Sequence, residues 1–598
     1  MAPQQPGAMA PINSKVAAAI SGLFGQSKGA DCRLVFVLDP APPTGEPGDG
    51  STGGRQGAQV QGAKQVLGEP LPAHSFVLRY ASDKIAAQLE WAETGGADGA
   101  CDPHGRPSKK VRTSGAATAE SAAPEKQLPE VQLMLGGEEE LPAARAAIQF
   151  AYTGRVEAGI SVREALQVCR QATYLQLDGC VEACLEVVKE ALVQGSAAPA
   201  AAGSGSGSGS GNATAGAASA AGPTFPVLEL YGCTALWPDP AEDAAFAALL
   251  AEAKRRLVAH FGDALAVLND TARYEQMVAL PAVGLAALLE SDDFGTDSES
   301  SVVLVLAEWM AFNYDSTDEA LRRRLCGRLR LVQCSPVYLS GVLPALAARH
   351  QRSPTSAAGW LPVTVAEAFS MLTYSTASEP ARTAMVAKGH LWGLRAGRAT
   401  MPAGWRNTQP RRQCLSAEGR PFDFSTSLAE IEQSFGALQP GVRGRVYPRV
   451  LGSRLGSHIV AQGLEWRPNI DWASGAATAG VFVTPLVPSA LAATAAFGGP
   501  AWEDELLTEA VVAFPPMRVS VRGAAGRQAW EFQLGVGDKF VRMARGLGQR
   551  EALKLHEATD DQQPNASNSK SKLAARWAPY LQDGTRLEGS IALLPPAS

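Results

Sequence analysis

The chain has 598 residues, 46% of them hydrophobic and 19% charged, with a formal net charge of -6. That length exceeds what one hydrophobic core organises, so several domains are expected, and the acidic balance offers no basic face for a phosphate backbone, which argues against nucleic acid as partner. No run approaches the ~20 apolar residues of a membrane span, and nine cysteines without a CxxC pair read as reduced thiols in a cytoplasmic or nuclear compartment.

In chain order, Val16, Ile20, Leu23 and Phe24 give the start an amphipathic, alanine-rich helix, and Leu34 to Leu38 form a compact strand run. Residues 40–69 and 95–127 are of low complexity and read as surface insertions. The second carries Lys109, Lys110 and Arg112, a short basic run that an import receptor could read. Val131, Leu133 and Leu135 alternate as a second strand, and residues 162–188 pattern as a helical hairpin broken at Asp178-Gly179. The Gly/Ser/Ala-rich stretch 194–222 reads as a random-coil linker with ends on the order of 30 Å apart, enough to decouple its flanks.

Residues 225–350 are helical in pattern. Thr296-x-x-Glu299 reads there as a capping box ahead of Val302, Leu306 and Trp309. After a helical or irregular connector at 351–420, the period changes to two, as in Met517-Arg-Val519-Ser-Val521 and Trp530-Glu-Phe532-Gln-Leu534, so 421–598 is expected to be a β domain. Asp583-Gly584 reads as a turn feeding a last strand.

No Walker loop, HExxH, nucleophile elbow or dinucleotide fingerprint occurs, so neither enzyme activity nor a catalytic, metal or cofactor site is expected. His74 has no nucleophile or carboxylate at a recognisable spacing and reads as a core histidine. Cys169, Cys180 and Cys184 read as buried thiols rather than an incomplete metal site. Trp466 and Trp472 could line a peptide groove or fill a sandwich core.

Asp31, Ala73-His74, Ser82, Tyr152-Thr153-Gly154 and Thr173-Tyr174-Leu175-Gln176-Leu177 occur in the order of a BTB/POZ domain, which the segment 12–193 resembles; it departs at Cys32 and Ile85, where the family more often has Val and Phe. Leu280-Pro281, Ser291-Asp292, Trp309, Arg328-Leu-Arg330 and Ser335-Pro336 make 225–350 similar to a BACK domain. No Gly-Gly repeat of a kelch propeller follows, and 421–598 resembles a MATH-type sandwich or the β domain of plant BTB-BACK proteins. The implied fold class is multidomain α+β: an α/β BTB/POZ domain, an all-helical BACK domain and a C-terminal antiparallel β-sandwich.

This resemblance implies a homodimeric substrate adaptor of a cullin-RING ubiquitin ligase, its BTB domain on a cullin-3 family scaffold and its C-terminal domain holding a protein substrate. The implied cullin-facing residues are Trp91 and Glu93, about two positions from the usual register, and Tyr152, for which a core role is equally compatible. Val16, Ile20, Leu23 and Phe24 are the implied dimer contacts, with packing inside the same chain as the other reading; Trp466 and Trp472 are the substrate candidates. The alternative is an oligomerising scaffold or transcriptional cofactor without a ligase role. An enzyme within 361–598 would require a cleft of convergent polar groups.

Overall fold

The computed structural model describes residues 14–38, 65–94, 128–195, 225–387, 402–492, 507, 509–535, 540–556 and 568–596. The chain mixes helix and strand and divides into two compact units, Met1–Ala253 and Lys254–Ser598.

Unit 1 follows the order α1 (Ser14–Ser21), β1 (Cys32–Leu38), β2 (Leu71–Ala73), α2 (Ser75–Ala81), α3 (Asp83–Thr94), β3 (Glu130–Leu135), α4 (Leu141–Thr153), α5 (Val162–Leu175), α6 (Cys180–Gly195), α7 (Pro226–Gly232) and the start of α8 (Ala244–Phe261). β1 is the central strand, antiparallel to β2 and parallel to β3. Leu34, Val35, Phe36 and Val37 are all buried, so this strand is covered on both faces and reads as a continuous apolar run. α5 opens at a capping box in which Ser161 and Glu164 satisfy each other's amides, and it packs against α6 through Leu166, Cys169 and Ala172 on one side and Cys184 and Val188 on the other.

Two expectations for this region are corrected. The insertion 40–69 is structured at its end: the Leu38 amide donates to Gln65 and the Leu67 amide to Phe36, because the edge of β1 requires partners for its backbone groups. The linker flanks are not decoupled. A Cβ on Gly195 would lie 2.7 Å from the Pro226 ring, the Arg163 amide donates to Glu229 at 3.0 Å, and Val227, Leu230 and Tyr231 are buried where α7 meets α5 and α6. Burying each such side chain contributes about 1.5–3 kcal/mol, whereas loop-closure entropy rises only slowly with length, so the apolar face of α7 returns the chain to where it left.

In unit 2 the helices Ala264–Asn269, Thr271–Val278, Ala282–Glu290, Glu299–Asn313, Glu319–Cys326, Leu343–Arg352, Val365–Thr376 and Glu379–Ala387 (α9 to α16) precede the strands. β4 (Arg420–Ser427) leads into α17 (Leu428–Phe435), followed by β5 (Arg443–Val446), β6 (Arg449–Val450), β7 (Ile459–Ala461), β8 (Leu464–Ala473) and β9 (Thr478–Leu486). Then come β10 (Val511–Ala513), β11 (Met517–Arg522), β12 (Gln528–Leu534), β13 (Phe540–Arg542), β14 (Leu547–Lys554), α18 (Asn568–Trp577), β15 (Leu581–Gln582) and β16 (Arg586–Leu593). One antiparallel sheet has the order β12-β11-β16-β4-β6 with β15 beside β16; a second has β14-β9-β8-β5 with β7 beside β8. Gly589 must lack a side chain, since a Cβ there would come within 2.3 Å of the Phe424 ring on the neighbouring strand.

The helices and strands of unit 2 share one core, so the expected division into a helical domain at 225–350 and a β domain at 421–598 is redrawn. Asn269 clamps β7, donating to the Val460 carbonyl at 3.0 Å and accepting from its amide at 2.7 Å. The turn between β7 and β8 seats on the start of α12: the Gly463 amide donates to Ser301 at 3.0 Å, and the buried Tyr338 hydroxyl donates to the Gly463 carbonyl at 2.6 Å. Gly463 has φ 72° and no room for a Cβ against Tyr338. Residues 402–414 strap the helices, with the Trp405 indole donating to Cys326 and the buried Arg411 guanidinium to Glu299 at 2.9 Å, Ser291 and Leu289. The expected Thr296–Glu299 capping box does not form. Ser298 caps α12 instead: the helix begins at Glu299, which is therefore its first residue and not the third that a box requires, and the Glu299 carboxylate is held by Arg411.

Candidate docking surfaces

Unit 1 positions its exposed side chains on a buried polar frame. The His74 amide donates to the Tyr152 hydroxyl at 2.9 Å, its ring lies 3.3 Å from that oxygen through Nδ1, and Nε2 meets the Lys28 carbonyl at 3.2 Å. Tyr152 is only 4% exposed and packs edge-on against Phe24; burial pushes its phenol up to about 12. Tyr152 is therefore a core residue, and its expected scaffold-facing role is corrected. Asp31 accepts from the Ser75 amide and hydroxyl at the start of α2; partial burial opposes its ionisation, but these hydrogen bonds prevail and hold its carboxyl below the usual range. Ser82 joins three elements, donating to the Leu175 carbonyl at the end of α5 and accepting the Ile85 amide in α3 at 3.1 Å, while the Asp178 amide donates to Ala81.

Helix α3 thus has its N-terminal end fixed, and surface features lie beside both of its ends. At its C-terminal end Trp91 is 79% exposed and lines a cleft of about 490 Å³ with Gln88, Ala92 and the start of β3. Glu93 occupies the last turn of the same helix, and its side chain lies outside the described residues.

At the N-terminal end, Asp83 borders an open cleft of about 1050 Å³ formed by the end of α2, the α5–α6 turn and the segment that follows α7. Tyr80, 92% exposed, stands on one rim, and Tyr174 on another carries the Lys84 ammonium 3.1 Å from its ring centroid. Trp237 holds the third side by packing edge-on between Tyr231 and Phe246 and donating its indole N–H to Leu230. Tyr80, Tyr174, Trp237 and the carboxylates around them are absent from the expected site residues. The signal available in the sequence was the acidic run that follows Trp237, Asp239-Pro-Ala-Glu242-Asp243.

The remaining expected residues are distributed as follows. Val16 is half-exposed on α1, which buries none of its residues, while Ile20, Leu23 and Phe24 are partly covered and Phe24 leans on Tyr152. In unit 2, Trp466 is fully buried against Phe514, and Trp472 is buried in a cluster with Phe435 and Trp577. A substrate groove at Trp466 and Trp472 is thus corrected to core packing, with both indole N–H groups donating to backbone carbonyls of their own hairpins. The basic run 109–112 lies outside the described residues.

Among the described residues no group of three or more His, Cys, Asp or Glu is placed to hold a metal ion, and no helix is long and apolar enough to cross a membrane. The family model of the BACK domain, "BTB And C-terminal Kelch", matches residues 240–343. No curated protein matches the chain. The family match supports a BTB/BACK-type protein.

Proposed function

We propose that the chain is a non-catalytic adaptor of a cullin-RING ubiquitin ligase, in which unit 1 is a BTB/POZ-type domain that docks on a cullin-3 family scaffold and the chain delivers a protein client. The observation that carries this reading is the BACK match at 240–343, since that domain is typical of BTB proteins that act as cullin adaptors. The unit ahead of the match supports it, with a three-stranded sheet, the buried His74–Tyr152 pair and a closing helical hairpin in the BTB order. The scaffold would meet the C-terminal end of α3, where Trp91 is exposed and Glu93 follows. The chain would act by proximity, raising the effective concentration of client lysines at the ligase in the cytoplasm or nucleus.

Binding of the full chain to the N-terminal region of a cullin-3 family protein tests this reading. Micromolar or tighter binding is expected, weakened roughly tenfold or more by Trp91→Ala or Glu93→Ala, as expected of a central interface anchor. Absence of binding would leave the second reading, an oligomerising scaffold without a ligase role. That reading is favoured by α1, which buries none of its residues and presents Val16. Light scattering of Val16→Asp beside the parent chain would show whether this helix makes a homodimer contact.

A further inference from the structure

The cleft at the N-terminal end of α3 is lined by six carboxylates, Asp83, Asp178, Glu182, Asp239, Glu242 and Asp243, and by Arg170, with the Lys84 ammonium on the Tyr174 rim. Arg170 is turned toward Glu140, 3.8 Å away. Asp239 and Asp243 accept backbone amides of their own turns, and the other four carboxylate residues are exposed. The cleft is open, and it is edged by the exposed aromatic rings of Tyr80 and Tyr174. Tyr174 already accepts an ammonium on its face, that of Lys84. An array of anions with low-dielectric walls concentrates cations, and an aromatic face adds to the attraction for a stacked ammonium or guanidinium.

We propose that this cleft is a reading site for an extended Lys/Arg-rich segment of a client protein, with cationic heads along the carboxylates and one stacked on Tyr80. The inference rests on the adaptor reading for the identity of the occupant, but not for the chemistry of the cleft. A nucleic acid would set phosphates against the carboxylates, and a second copy docking through the same face would oppose like charges. The proposed scaffold contact lies eight residues farther along α3, about 12 Å along the helix axis, at the other end of the helix. A client site here also replaces the one that core packing of Trp466 and Trp472 removes.

The test uses the full chain and a fluorescein-labelled twelve-residue peptide of alternating Lys/Arg and Ala, with an alternating Glu/Ala peptide as control, read by anisotropy. The basic peptide is expected to bind and the acidic one not, with affinity falling about tenfold or more between roughly 50 and 300 mM salt. The combined Asp178→Asn, Glu182→Gln, Glu242→Gln variant is expected to lose at least about tenfold, and Tyr80→Ala a few-fold. These residues are exposed, and an unchanged melting curve would show that each variant folds. Equal affinity for the carboxylate variant, or no binding by the parent chain, would overturn the proposal. Cullin binding measured on the same proteins separates the two readings. If the peptide binds while cullin does not, the cleft stands and the adaptor reading fails. If the carboxylate variant loses cullin rather than peptide, or the two compete, the occupant is the scaffold and the client assignment is overturned.

Discussion

At the residue scale, burial raises the pKa of both Tyr152 and Glu465, with different consequences. Tyr152→Phe removes the acceptor of the His74 amide and leaves that N–H buried without its partner. The expected loss is about 1–3 kcal/mol in chemical denaturation, with scaffold binding per folded molecule unchanged, because the ring lies in the core. Glu465 lies in β8 among Glu308 of α12, Arg454 and His458 of the loop before β7, and Arg467 of its own strand; Tyr274 of α10 donates to Glu308 at 2.8 Å. Burial first, and Glu308 second, push the Glu465 carboxyl up to about 7 from an ordinary 4.5. The native state therefore holds this proton more tightly than the unfolded chain does. Its stability contribution is full below pH 4.5 and is lost as pH rises through about 7. Melting curves from pH 5 to 8 should show wild type losing about 2 kcal/mol relative to Glu465→Gln, after partial solvent screening is counted; parallel profiles would contradict the assignment.

At the element scale, helix starts were written locally and helix partners were not. Ser161-Val-Arg-Glu164, Thr364-Val-Ala-Glu367 and Ser427-Leu-Ala-Glu430 all close capping boxes, whereas Thr296-x-x-Glu299 has the same spelling and does not. The difference is where the helix begins: α12 starts at Glu299 itself, whose carboxylate is held by Arg411, more than a hundred positions away. The strap at 402–414 depends on that pair. Arg411→Ala leaves Glu299 buried and uncompensated, for an expected loss of about 3–5 kcal/mol. Glu299→Gln added to Arg411→Ala should restore part of it, and a double-mutant cycle with no coupling would remove the strap's anchoring role.

At the scale of the whole molecule, the Gly/Ser-rich stretch connects two points that already touch, Gly195 and Pro226. Replacing residues 197–222 with a loop of about six residues is expected to leave the melting temperature within a few degrees and scaffold binding intact, since closure entropy changes by only about 1–2 kcal/mol over that range. A large drop in either would mean that the stretch has a role beyond connection. Conversely, a fragment ending at residue 194 lacks Val227, Leu230 and Tyr231, which cover α5 and α6, so binding studies belong on the full chain.

What short-range physics can write was readable along the chain. The apolar run of β1 and the period-two alternation of β11 and β12 reported strands, though not their neighbours, and the residues quoted for the BACK resemblance fell inside the matched segment. The sequence also left legible the acidic run after Trp237, although not the cleft that run completes. Tertiary structure decided what depends on which side chains meet: Tyr152 inward, Trp91 outward, Trp466 and Trp472 in the core, and helices and strands of unit 2 around one interior. The reason is physical. A tryptophan at a strand position has the same local propensity in a groove and in a core, and only the packing of Phe435, Phe514 and Trp577 against it excludes water from one and not from the other.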